Sequence, residues 1–77
     1  MKIDKFISDV ASSIEDVEPG MLDADTEYKR LKSWDSLAVL TVTDTIEMEY
    51  GVLLRKSDLD AAVTLSDLFE CVRVKSS

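Results

Sequence analysis

No histidine occurs in this chain, and cysteine, proline and tryptophan occur once each. Without an imidazole, a serine lacks its usual general base, so a serine-hydrolase mechanism is missing its second component. The lone Cys71 can form no internal disulfide, and it has no histidine or second thiol with which to hold a metal. It reads as a small buried hydrophobe. With only two glycines there is no glycine-rich loop to cradle a phosphate, and an enzyme in its own right is not expected. The apolar runs are too short to span a bilayer. Met1-Lys2-Ile3-Asp4-Lys5 leads into a mixed polar and apolar pattern rather than the apolar block of a signal peptide, so the expected location is the cytoplasm. Basic residues are scarce as well: 9 against 16 acidic ones give a net charge of −7. That sign disfavours nucleic acid as a partner, since phosphate contacts need lysine and arginine in excess.

The chain has 77 residues, 45% of them hydrophobic, which suits one domain spanning residues 1–77 and an expected monomer. A domain of this size buries only about 60% of its unfolded surface, so stability is modest. The acidic surface fits docking to basic patches on larger proteins, although ordinary solubility would account for it too. Self-repulsion at −7 predicts that salt or divalent cations raise the melting temperature. A thermal-melt series in salt checks this, and an unchanged or falling melting temperature would count against it.

Ile3, Phe6, Ile7, Val10, Ala11, Ile14 and Val17 recur at three- and four-residue intervals, which predicts an amphipathic first helix over 3–17. Pro19-Gly20 stops it, and 18–35 reads as a long loop anchored by Met21, Leu22, Tyr28, Leu31 and Trp34. Asp23, Asp25 and Glu27 alternate like calcium-loop ligands, but Tyr28 stands where the sharp-turn glycine belongs and Trp34 where the bidentate glutamate belongs. They are read as solvated acids. A second helix is predicted over 36–50, with Val39, Val42, Thr43, Ile46 and Tyr50 toward the core. Leu37, Leu40, Thr41, Asp44, Glu47 and Met48 fall on its other side, with Ala38 exposed or flanking. Exposed apolar residues rimmed by carboxylates suit a docking surface. Gly51 reads as a left-handed cap. A short third helix is predicted from an Ser57 cap to about Ala62. A last helix is capped by Thr64 with Asp67 in the reciprocal position and buries Leu65, Leu68, Phe69 and Val72. Arg73 and Lys75 sit near its C-terminal end, and Ser76-Ser77 are expected to fray.

Ser36 opens the second helix, between Asp35 and Leu37. A helix N-terminus exposes unpaired N–H groups, so a phosphate attached there is electrostatically favoured. A serine at that point also serves simply as an N-cap. From position alone, capping is the commoner role.

Asp35-Ser36-Leu37 at the start of the second of four helices, with Gly51 at that helix's end and Thr64-Leu65 entering the last one, resembles the acyl carrier protein family over nearly the whole chain. The resemblance implies an all-α fold, a four-helix bundle of three longer helices and one short one. It also implies 4′-phosphopantetheine on Ser36, transferred from coenzyme A by a separate phosphopantetheinyl transferase, with an acyl group carried as a thioester on the arm. Under it, Asp35, Leu37, Leu40, Asp44, Glu47 and Met48 dock basic patches of synthases and transferases. Val39, Val42, Ile46, Leu54, Leu59, Ala62 and Leu65 would line a space for the acyl chain. The resemblance implies service to enzymes of fatty-acid, polyketide or related lipid biosynthesis, but Lys29, Arg30 and Lys32 in the loop, Trp34 before the motif and the few acids early in the second helix point away from the general fatty-acid synthase enzymes, to a specialised stand-alone carrier dedicated to a polyketide, lipid or glycan-modifying pathway. An aminoacyl or peptidyl carrier is the nearest alternative. A non-covalent acidic interaction module, with Ser36 only a cap, is the rival from another class.

Overall fold

A computed structural model describes residues 2–76. Its elements are α1 (Ile3–Ser13), a 3-10 turn at Pro19–Met21, a second at Tyr28–Arg30, α2 (Ser36–Tyr50), α3 (Lys56–Ala61) and α4 (Leu65–Ser76). No strand occurs among the described residues, nor any helix long and apolar enough to cross a membrane. The fold is an all-helical bundle in which α1 packs on α2 and α4, and α3 on α4.

The core is one cluster with Phe6 at its centre. Its ring meets Phe69 of α4 edge-on at 5.4 Å and Tyr50 of α2 at 5.8 Å, so one side chain of α1 ties three helices together. Tyr50 is fixed from outside by its hydroxyl, which donates to Asp9 Oδ2 at 2.8 Å.

The first helix is shorter than its periodicity predicts. The hydroxyls of Ser12 and Ser13 both bond back to the Asp9 carbonyl, the Ile14 N–H turns to Ala11, and Asp16 adopts a left-handed φ of 63°. Ile14 stays buried in extended backbone and Val17 stays half-buried, so the apolar spacing outlasts the helix that would explain it.

The long loop is sewn to the far side of the bundle. Leu65 N–H donates to the Thr26 carbonyl (3.0 Å) and Ser66 N–H to the Ala24 carbonyl (2.9 Å), satisfying donors that the start of α4 leaves unpaired. Tyr28 Oη donates to the carbonyls of Leu59 (2.5 Å) and Ala62 (3.2 Å), and Lys29 Nζ to that of Asp60 (2.6 Å), closing the end of α3. Asp23 does not merely sit in solvent: its Oδ1 accepts from Asp25 N–H and from the Thr26 hydroxyl, shaping this turn. Among the described residues no group of three or more acidic or thiol side chains is placed to hold a metal. Leu22 and Tyr28 are buried anchors and Leu31 and Trp34 half-buried ones, but Met21 is not an anchor; it lies exposed.

Two helix starts differ in their caps. Thr64 Oγ1 accepts from Asp67 N–H, and Asp67 Oδ2 accepts from the N–H groups of Thr64 and Val63, as the pattern predicts. α3 is capped instead at Arg55, whose N–H donates to Asp58, because Ser57 already lies inside the helix. Ser76 belongs to α4 and bonds back to the Arg73 carbonyl, while Ser77 lies outside the described residues.

Those backbone hydrogen bonds hold the Asp67 carboxyl below its ordinary value. A folded-state value lower than the unfolded one stabilises the fold above the ordinary aspartate range, and this contribution is lost as pH falls through the depressed value. Asp67→Asn should therefore flatten the acid limb of the melting temperature against pH. An acid limb identical to that of the parent chain would refute this.

Candidate functional site

The cap of α2 is supplied by Asp35. Its backbone is extended, its Oδ1 accepts from Ala38 N–H at 2.8 Å, and its carbonyl takes Val39 N–H at 3.0 Å. This corrects the reading of Ser36 as the N-cap. Ser36 is the first helical residue, it is exposed, and its hydroxyl makes no hydrogen bond among the described residues. The division of labour follows from reach: the residue before the first turn can turn its side chain onto the N–H three residues on, and the next residue points outward.

The approach to Ser36 is held rigidly. Trp34 N–H donates to the Leu31 carbonyl, and the Trp34 ring meets the buried Tyr28 ring edge-on at 5.1 Å. Burial raises the Tyr28 phenol well above its ordinary value, with Asp60 and Asp67 adding to the effect, so the hydroxyl stays protonated and keeps donating. At the far end, Gly51 caps α2 with φ 67°, its N–H on the Glu47 carbonyl.

α2 buries Ala38, Val42 and Ile46, a stripe at four-residue spacing, with Val39, Thr43 and Tyr50 half-buried beside it. The predicted inward residues all face inward, and the stripe is widened on one side by Ala38. Ala38 is buried rather than exposed, and Thr41 does not belong to the outer face, since its hydroxyl donates to the Ser13 carbonyl (2.7 Å). The Ser13 hydroxyl, whose proton goes to the Asp9 carbonyl, lies 2.7 Å from the Thr45 hydroxyl, fastening the end of α1 across α2. Leu37, Leu40 and Met48 are 61%, 56% and 79% exposed, so large apolar side chains stand in water beside the exposed Asp35, Asp44 and Glu47. All six candidate docking residues are thus exposed along one helix.

The candidate acyl-lining residues lie inward. Val42, Ile46, Leu54, Leu59, Ala62 and Leu65 belong to the buried cluster and Val39 packs against it. Cys71 is half-buried rather than buried, and lines a groove between α3 and α4 with Ala62 and Val74. Burial raises its thiol, with Asp58 adding and Lys75 opposing, so it is a protonated, weakly nucleophilic group at neutral pH.

A second cavity, of about 240 Å³, opens next to the serine between the end of α1 and the start of α2. Ser13, Glu15, Asp16, Ser33, Asp35, Leu37, Ala38 and Thr41 line it. Of these the sequence pointed to Asp35 and Leu37 as docking residues and to Thr41 on the same side of the helix. Residues 13–16 come from the segment where α1 ends early, and no periodicity announces where such a segment packs.

An exposed, unengaged hydroxyl at a helix N-terminus fits esterification by a phosphate group: the acceptor is reachable, and the first-turn N–H groups and the macrodipole favour the added charge. No curated protein and no solved structure matches the chain. A family model described as phosphopantetheine attachment site matches residues 5–72, nearly all of the fold. Carrier domains of this kind receive 4′-phosphopantetheine covalently, work with a phosphopantetheinyl transferase and with synthases, and are generally not catalytic themselves. With a helical bundle and an attachment-site model spanning both the motif and the bundle's helices, the chain belongs to the phosphopantetheine attachment family, and it is a phosphopantetheine carrier protein.

Proposed function

We propose that Ser36 is the attachment point and that this single domain carries an acyl group as a thioester on the arm, for enzymes of fatty-acid, polyketide or related lipid biosynthesis. The observation that carries this reading is the free, exposed Ser36 hydroxyl at the first position of α2, with capping left to Asp35. The chain has no histidine beside that hydroxyl, so the transferase supplies the base that removes its proton. When attached, the arm supplies the thiol that forms the thioester. Among the described residues no charged side chain is buried in the core. An apolar acyl chain is therefore the cargo such a core would accept, against Val39, Val42, Ile46, Leu54, Leu59, Ala62 and Leu65, whereas a buried aminoacyl ammonium would go unpaired. This favours the acyl carrier over the aminoacyl or peptidyl one.

The test is intact mass after incubation with coenzyme A and a broad-specificity transferase, followed by peptide mapping. A gain of one phosphopantetheine on the peptide bearing Ser36 is expected. A folded chain that gains nothing, or gains it on another serine, would overturn the assignment.

Docking is assigned to Asp35, Leu37, Leu40, Asp44, Glu47 and Met48. Rim charges act chiefly on encounter, so Asp44→Lys and Glu47→Lys should each lower kcat/KM for loading by the transferase about 2–5-fold at low salt, the equivalent of exposed pairs worth about 0.5–1 kcal/mol. The difference should shrink as salt is added. Equal kcat/KM for both variants and the parent chain at low salt would remove these two residues from the docking surface.

A further inference from the structure

The cavity between the end of α1 and the start of α2 has no part in the reading above, and resting on that reading we propose that it is the seat of the prosthetic arm's phosphate-proximal segment when no partner enzyme holds it. Position is the first argument. Asp35 and Leu37, the residues on either side of Ser36, both line the cavity, so anything tethered to Ser36 starts at its mouth.

Chemistry is the second. The segment of the arm next to the phosphate is uncharged: a carbon bearing two methyl groups, a hydroxyl and an amide. The cavity offers Leu37, Ala38 and the Thr41 methyl to the methyl groups, and the oxygens of Ser13, Glu15, Asp16 and Ser33 to the hydroxyl and the amide N–H. Its three carboxylates, Glu15, Asp16 and Asp35, repel the phosphate itself, which stays at the mouth against the first-turn N–H groups while the neutral segment turns inward. Size agrees with a partial fit. At about 240 Å³ the cavity is below the ~300–1,000 Å³ of pockets that enclose drug-sized ligands, so it takes one segment and leaves the thiol end free. Tethering makes a weak contact sufficient: at an effective concentration on the order of 1 mM, a fragment with a Kd of about 1 mM is seated about half the time.

The cavity wall is also set in place before the arm arrives. The Thr41 hydroxyl is fixed on the Ser13 carbonyl, and the Ser13 hydroxyl lies against that of Thr45. Seating the arm therefore requires little ordering of the protein.

Proton–nitrogen correlation spectra of the full chain before and after loading with coenzyme A and transferase test this, with intact mass read on the same samples. Seating predicts amide shift changes at Ser13, Glu15, Asp16 and Thr41 beyond those at residues 35–38, and nuclear Overhauser contacts from the arm's paired methyls to Leu37 and Ala38. In fully loaded Ser33→Phe, whose ring occupies the cavity, the changes at residues 13–16 should be lost. If the mass rises on Ser36 but shift changes stop at residues 35–38, the arm is unseated and this proposal alone fails. If they persist undiminished in Ser33→Phe, they do not come from the cavity and the proposal fails again. If Ser36 gains no mass, the attachment reading fails and this proposal with it.

Discussion

Ser36→Ala will gain no phosphopantetheine under conditions that load the parent chain to completion, and it will keep its stability. The second half of that result is what gives the first its meaning. The Ser36 hydroxyl bonds to nothing among the described residues, so deleting it removes no cap and leaves no buried group unpaired. The stability change should stay within about 0.5 kcal/mol, the range of ordinary surface substitutions. Asp35→Ala is the contrasting variant. It removes the oxygen that accepts Ala38 N–H, and should cost about 0.5–2 kcal/mol. At about 4–8 °C per kcal/mol for a domain of this length, thermal melts resolve the two variants. If Ser36→Ala melted much lower while Asp35→Ala did not, the serine would be the cap after all. A mass gain retained in Ser36→Ala would move the attachment point elsewhere.

Tyr28→Ala should be among the most damaging substitutions, at about 3–5 kcal/mol, because it empties a fully buried aromatic site. Much of a small domain's total stability would be gone, and melts should show it partly unfolded at ordinary temperature. Tyr28→Phe separates packing from hydrogen bonding. The ring stays against Trp34, but the carbonyls of Leu59 and Ala62 lose their donor, at about 1–3 kcal/mol. The loss should be felt at the end of α3, where faster amide exchange is expected at Leu59 and Ala62 in Tyr28→Phe. A Tyr28→Phe chain as stable as the parent would mean that water satisfies those carbonyls and that the loop does not hold α3 through this residue.

How far the chain could be read in advance depended on whether a feature was local. α2 was found from Ser36 to Tyr50, because a cap signal and Gly51 bracket a helical pattern and both act within a turn of themselves. The Thr64 and Asp67 cap was legible for the same reason. Ser36 was placed at the first turn of α2, where it stands, but the capping role read for it belongs to the residue before it. Both Asp35 and Ser36 are good capping residues, and only backbone dihedrals tell which stands outside the helix.

The residues by themselves thus determined an all-helical chain, its acidic charge, the Asp35-Ser36-Leu37 motif and the lack of histidine, since all of these follow from residue types and short spacings. Tertiary structure decided where α1 stops, that Ala38 and Thr41 of α2 also turn inward, and what the long loop does. Each of those turns on contacts between residues far apart in the chain: Thr41 on Ser13, Leu65 on Thr26, and Tyr28 on Leu59. Three-dimensional packing also set the cavity beside Ser36, because its walls come from two segments about twenty residues apart whose meeting no periodicity encodes.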